Sequence, residues 1–255
     1  MSGTPSSLKE FVIVRNMNPE ETRMAAAWAA DEGWNPGFHD IGCHYSVDPK
    51  GWFVAEYEGR PVGIVQFSNY DDSFSFGGFL VVRPEFRKTG IGDVLLKEGL
   101  SHTEGRICGA DGVFEMQETY SRKYGFIFAY RNIRREGNVN GLSDSNLLGA
   151  SDVSFERLAD YDSRHFPVKR HGFLKKWIEQ KESVSLVSCN GDEIEGFGTI
   201  RKCFSGYKIG PLFAENFGTA EKIFLGLCDS VDSEPVYLDT PAPNAGAVLL
   251  AKNTV

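Results

Sequence analysis

Apolar residues recur in this chain with two periods. Short runs at 11–15, 52–57, 62–67 and 74–82 read as strands. Pro19-Glu20-Glu21 opens a helix running to about Asp31, its acidic residues suiting the positive end of the dipole, and Gly33 and Pro36-Gly37 end it. Glu58-Gly59-Arg60-Pro61 punctuates a hairpin, and Gly77-Gly78 inside a strand marks a bulge or a close backbone approach. After Pro84 the period changes. Ile91, Val94, Leu95, Leu96 and Leu100 share a helical face, which predicts a helix over 90–102. A strand over 113–116, a short helix over 119–123 and a strand over 126–134 complete the first half.

Residues 137–150 are rich in Gly, Asn and Ser and read as a linker. The second half repeats the order of elements. A strand is predicted over 153–158, helices within 162–180, strands over 184–188, 196–201 and 207–213, a helix over 216–229, a strand over 236–239 and a helix from Asn244. The repeat lies in the order of elements, not in the residues. The organisation predicted is a flexible N-terminus (1–10), a first domain (11–136), a linker (137–150) and a second domain (151–255) that lacks closing strands after Leu250.

Composition narrows the class. With 255 residues, 41% hydrophobic and 13% aromatic, the chain is a folded protein and not a solvated low-complexity one. A net charge of −8 argues against a nucleic-acid backbone partner, which needs clustered Lys and Arg. No run reaches the roughly 20 apolar residues of a membrane span, and residues 1–10 contain no signal-type stretch, so a cytoplasmic protein without a membrane partner is expected. Five widely spaced cysteines (Cys43, Cys108, Cys189, Cys203, Cys228) make neither a disulfide framework nor a metal set.

The most informative segment is Leu80-Val81-Val82-Arg83-Pro84-Glu85-Phe86-Arg87-Lys88-Thr89-Gly90-Ile91-Gly92. A strand runs through a turn with two glycines straight into a helix, whose unpaired N–H groups and dipole favour an anion. Neither the nucleoside-triphosphate loop nor the full dinucleotide fingerprint is present. Arg87-x-x-Gly90-x-Gly92 after a strand ending in Val-x-Pro, with Tyr124-Gly125-Phe126 downstream, resembles the GNAT (GCN5-related N-acetyltransferase) superfamily over residues 11–135.

That resemblance implies an α/β fold of two tandem GNAT-like domains, each a mixed, mostly antiparallel sheet flanked by helices, the second incomplete at its C-terminus. It implies acetyl-CoA, or another acyl-CoA, as co-substrate in a gap between two splayed strands. The main chain of Leu80, Val81 and Val82 would hold the thioester carbonyl and pantetheine arm. Arg87, Lys88, Thr89, Gly90, Ile91 and Gly92 would hold the pyrophosphate.

The chemistry implied is direct attack of an amine on the thioester, transferring an acyl group, most readily acetyl, to nitrogen. It calls for an oxyanion donor, a proton acceptor and sometimes an acid for the departing thiolate. The family's tyrosine slot falls on Ser121 here, with Tyr120 one residue earlier. Tyr120 is therefore one candidate acid, and a site without a tyrosine is the other reading. Glu115 and Glu118 are candidate bases, with solvated surface charge as the alternative for each. His39 and His44 read as loop residues, and Asp71 and Asp72 as turn residues.

In the second half Tyr207-Lys208-Ile209-Gly210-Pro211-Leu212-Phe213-Ala214-Glu215-Asn216 stands where the phosphate turn would be. Glu215 places a negative charge there. With Phe166-Pro167 and Gly172-Phe173-Leu174-x-x-Trp177-Ile178, this half resembles the degenerate acetyltransferase-like domain of some tandem proteins. Its missing strands would leave an open sheet edge, through which self-association is expected. The acceptor, a small-molecule or peptide amine, is not specified by these residues. The competing function is a non-catalytic acyl-CoA-binding or scaffold protein of the same fold.

Overall fold

A computed structural model describes residues 7–231 and 234–254. The chain forms two compact units, one from the chain up to Pro36 and Asp40–Phe126, the other from Gly37–His39 and the chain from Ile127. No described helix is long and apolar enough to cross a membrane.

The first unit contains β1 (Val12–Asn16), α1 (Thr22–Asp31), α2 (Asp40–Tyr45), β2 (Trp52–Tyr57), β3 (Arg60–Asn69), β4 (Phe74–Val82), α3 (Ile91–His102), β5 (Ile107–Ala110) and α4 (Gln117–Tyr124). Its strands lie in the order β1-β2-β3-β4-β5, antiparallel except for the parallel β4–β5 pair. Alternation along the strands feeds a core on each face. Phe53, Val65 and Phe67 pack with Leu95 and Leu96 of α3, while Trp52, Val54, Ile64 and Val81 pack with Ala25 and Ala26 of α1. Each Val, Leu, Ile or Phe among them contributes about 1.5–3 kcal/mol when fully buried.

Of the flexible arm predicted for residues 1–10, residues 1–6 lie outside the described residues, and residues 7–10 depart from the expectation. Leu8 is fully buried in the α3-side core, and its N–H donates to Thr89 O at 3.0 Å. The apolar pattern missed it because a single leucine in a polar stretch has no period.

The predicted strand at 113–116 is a 3-10 turn, and the fifth strand lies earlier, at Ile107–Ala110. The chain leaving α3 returns at once beside β4, as a crossover between parallel neighbours does, so Val113 and Phe114 fall beyond the sheet.

The second unit contains β6 (Asn132–Gly137), β7 (Leu147–Gly149), α5 (Phe155–Asp162), α6 (His171–Glu179), β8 (Ser183–Asn190), β9 (Glu193–Lys202), β10 (Tyr207–Ala214), α7 (Phe217–Asp229), β11 (Val236–Pro241) and α8 (Ala245–Thr254). Its sheet runs β6-β11-β10-β9-β8-β7. The strand expected over 153–158 is instead the start of α5, whose Leu158, Ala159, Tyr161 and Asp162 are buried at helical spacing.

The boundary at 136/137 is also displaced. β6 belongs to the second sheet, where Asn132–Gly137 pair antiparallel with Pro241–Val236 along the whole of β11. The predicted linker supplies a further strand, β7, on the opposite edge against β8. A strand edge carries N–H and C=O groups that need partners, and the chain itself provides them here. The open edge expected beside β11 is therefore filled by β6.

Candidate active site

The site of the first unit starts at a break in β4. Ile64 pairs with Val81 and Gln66 with Gly78, so Val65 stands opposite both Phe79 and Leu80, which makes a bulge. Phe79 takes a left-handed φ of +51°, uncommon for a bulky side chain. The bulge resets the alternation. Gly77, Leu80 and Val82 face the α3 side, and Phe79 and Val81 face the other. Gly77 is required on the α3 side because an added Cβ would stand 2.4 Å from the Phe67 ring.

Beyond the bulge the strands part. β5 pairs with β4 only from Phe74↔Ile107 to Gly77↔Ala110, while β4 runs on to Val82. The main chain of Gly78 to Val82, Leu80, Val81 and Val82 among it, thus borders a gap on its β5 side.

β4 leads through a 3-10 turn at Pro84–Phe86 to α3. Lys88 (φ +65°) and Gly90 (φ +91°) both take left-handed backbone, and Gly90 is the N-cap with no side-chain cap. The helix ladder opens with Asp93 and Val94 donating to Gly90 O at 3.1 and 3.3 Å. The N–H groups of Ile91 and Gly92 precede it and point out of the helix end, where the dipole favours an anion. The residues present fit a pyrophosphate.

Neighbouring side chains brace this turn. Arg87 donates from Nε to Val82 O at 2.9 Å and pairs with Glu32, so its guanidinium holds the turn in shape. Thr89 Oγ1 donates to Phe86 O at 2.5 Å. Lys9 lies across Gly90, where an added Cβ would meet its Cε at 2.3 Å, and its ammonium is 3.2 Å from Asp93. Asp93 also receives Lys123 at 2.5 Å, Lys97 at 3.7 Å and the Tyr124 hydroxyl. Burial would raise the Asp93 pKa, but the hydrogen bonds from Lys123, Tyr124 and Lys9 outweigh it and hold the carboxyl well below its ordinary range. The surroundings of the turn are thus cationic in a chain of net charge −8. Lys9 was not legible as a neighbour of this turn, since nothing in its sequence context ties it to residues 88–93.

Tyr120 and Tyr124 both lie on α4. The Tyr124 hydroxyl is engaged with Asp93, and burial together with that carboxylate raises its pKa. The Tyr120 ring packs on Gly112 and meets Phe126 edge-on at 6.3 Å. Among the described residues its hydroxyl has no hydrogen-bond partner. Desolvation raises its pKa, which keeps the phenol protonated as an acid must be. Glu115 lies exposed on the 3-10 turn before α4, and Glu118 is exposed on α4 with an i,i+4 pair to Arg122 at 2.7 Å. Neither stands at a strand end, because the strand assumed to carry them is not there.

On the face of the sheet opposite α3, two rings flank Phe79 at the bulge and a third extends the group. Trp52 is 5.4 Å from Phe79, Trp34 meets Phe79 edge-on at 6.2 Å, and Tyr45 is 6.3 Å from Trp52. Gln66 is buried beside them, its Nε2 donating to Ser68 Oγ at 2.7 Å and to Phe76 O at 2.9 Å. The sequence signal for this group was the Gly77-Gly78 pair, which located the bulge but not what gathers around it.

In the second unit the corresponding parallel pair, β10–β11, also separates. It is joined only from Tyr207↔Val236 to Ile209↔Leu238, and β10 continues to Ala214. There the likeness stops. Only Glu215 and Asn216 separate β10 from α7, and Asn216 Oδ1 accepts from the Thr219 N–H at 2.9 Å, capping the helix itself.

The comparisons with known proteins agree with this geometry. Residues 14–126 match the acetyltransferase (GNAT) family, and residues 158–254 match an acetyltransferase (GNAT) domain. The chain is 28% identical over 247 residues to the holothin acyltransferase of Pseudoalteromonas sp. (strain SANK 73390), covering 96% of this chain and 80% of that protein. Among solved structures, a candidate acetyltransferase from Pyrococcus horikoshii superposes with a TM-score of 0.78 at 21% identity, covering 95% of this chain and 84% of the other. A tandem GNAT protein from the clavulanic acid biosynthesis pathway superposes with a TM-score of 0.63 at 13% identity, covering 94% and 93%. At these identities the two structures speak for the fold alone. The matches to both halves, in register with the two splayed sheets, place the chain in the GNAT family as a tandem of two such domains.

Proposed function

We propose that the protein is a CoA-dependent N-acyltransferase whose first unit carries the acyl transfer, with acetyl-CoA as donor. The observation that carries this reading is the junction of two features at one end of β4: the gap beside Gly78 to Val82, and the open N-terminus of α3 with Gly90 in left-handed backbone. The first suits a pantetheine arm and the second a pyrophosphate. The holothin acyltransferase relative supports acyl transfer as the chemistry.

CoA, when bound, supplies the thioester. The chain's own residues orient it through the β4 main chain, with an N–H at Leu80 or Val82 available to the carbonyl oxygen as negative charge develops. The amine nitrogen attacks the carbonyl carbon, the C–N bond forms and the C–S bond breaks. The nitrogen's surplus proton passes to water, and the thiolate takes a proton from Tyr120.

Differential scanning with acetyl-CoA and thiol release over an amine panel test the reading together. The expected result is a raised Tm with acetyl-CoA and CoA release with at least one amine. An unmoved Tm at saturating acetyl-CoA would overturn it. A raised Tm with no release on any acceptor would leave the non-catalytic binder instead, which the solvated positions of Glu115 and Glu118 favour.

A further inference from the structure

The aromatic group around Phe79 is larger than the bulge needs, and its position bears on the acceptor. With the thioester along β4 at Leu80, the attacking nitrogen must come within about 3–3.5 Å of the carbonyl carbon. The α3 side is closed there by Phe67 against Gly77, as the forbidden Cβ at Gly77 shows. Approach is left over Gly78 and Phe79, on the other face.

That face is built for a specific kind of molecule. The amide nitrogen of Gln66 is spent on Ser68 and Phe76, which fixes the amide and turns Oε1 over Gly78, 3.6 Å from where a Cβ would stand. An acceptor oxygen is thereby held one residue before the bulge. Around it stand uncharged rings, with Phe79 kept in left-handed backbone and Trp52 fully buried. The indole N–H of Trp52 is buried with no hydrogen-bond partner, a state that costs free energy unless something supplies an acceptor. Strained backbone and an orphaned donor in one cluster are features that binding sites retain.

Resting on the acyltransferase reading above, we infer that the acceptor is an amine borne on a flat, apolar ring system. Its ring lies against Phe79, Trp34 and Tyr45, and its N–H is held by Gln66 Oε1. Stacked and edge-on contacts of this kind favour planar molecules. The carboxylates of Glu20 and Glu21 act on Tyr45 at one end of this wall, whereas Phe79 and Gly78 meet rings and one neutral amide, which suits a flat ring better than a polycation.

The test measures CoA release with 5-aminoindole and 4-methoxyaniline against spermidine and a glycyl tripeptide, alongside acetyl-CoA affinity by calorimetry. The flat amines are expected to give kcat/KM at least tenfold above the others. Gln66→Met keeps the length and removes the carbonyl, and should raise KM for the flat amines about tenfold with acetyl-CoA affinity within twofold. Phe79→Leu, which keeps an apolar residue there, should do the same and serves if the first variant does not fold. Preferred turnover of spermidine or the tripeptide would overturn the acceptor class and leave the acyltransferase reading standing. So would variants with unchanged KM. Binding of acetyl-CoA with no release on any amine would overturn both.

Discussion

The two units share a splayed parallel strand pair and differ in the connection that leads from it to the next helix. In the first, the chain from Arg83 to Gly90 swings out between β4 and α3 and delivers a helix end with no side-chain cap. In the second, Glu215 and Asn216 join β10 to α7 directly, and Asn216 satisfies the helix end from within. A helix N-terminus must find acceptors somewhere. The first unit has no side-chain cap there, which the proposed function assigns to a ligand, and the second caps its helix with its own side chain while placing the Glu215 carboxylate beside it. If the proposed function holds, one short connection is enough for this fold to keep its splayed strands and lose its cofactor site.

The two units differ most in consequence at the proposed acid. α4 carries Tyr120, whereas α8, the helix after the second parallel strand, holds no tyrosine. Tyr120→Phe should lower kcat by about 10²–10⁴, the usual contribution of a positioned acid, with acetyl-CoA affinity unchanged. Because burial holds this phenol above the ordinary value of about 10, wild-type kcat should persist to at least about pH 10 and fall only as the phenol ionises. A pH–rate profile checks both.

A smaller effect is expected where the N-terminal segment supports the turn. Leu8→Ala should cost about 2–5 kcal/mol of first-unit stability, as buried leucines do, and should weaken acetyl-CoA binding as the anchor of Thr89 loosens. Denaturant unfolding followed by calorimetry would show it. Smaller again, Asn216→Ala should cost the second unit about 0.5–2 kcal/mol through the lost cap and leave acetyl-CoA affinity untouched. An affinity change in that variant would mean that the second turn takes part in binding.

Much of this was legible in the residues, for reasons the structure makes plain. The phosphate turn could be read because its chemistry is local: two glycines, a helix start and the strand before them lie within one short stretch. The bulge was signalled by Gly77-Gly78 for the same reason. What escaped depends on contacts distant in sequence. Strand propensity marks residues 132–134 as extended, but only the unpaired edge of β11 decides which sheet receives them. Leu8 and Lys9 gain their roles from Thr89, Gly90 and Asp93. Gln66 is an ordinary polar residue in a strand until Ser68 and Phe76 fix its amide. The predicted strand at 113–116 failed because an apolar run there looks the same whether or not it has a neighbour to pair with.

Whether the proposed cofactor site belongs to the first unit and not to the second is decided by calorimetric titration of acetyl-CoA into the wild type, Gly92→Glu and Gly218→Glu. Each glycine is the second residue of its helix, and an added Cβ meets its nearest neighbour only at 3.6 Å (Val82 Cγ2) or 3.5 Å (Asn216 Oδ1), so both variants should fold. One equivalent should bind per wild-type chain, with affinity reduced more than about a hundredfold by Gly92→Glu, equivalent to about 2.7 kcal/mol, and unchanged in Gly218→Glu. Two equivalents per chain, or binding that survives Gly92→Glu and is lost in Gly218→Glu, would contradict that assignment.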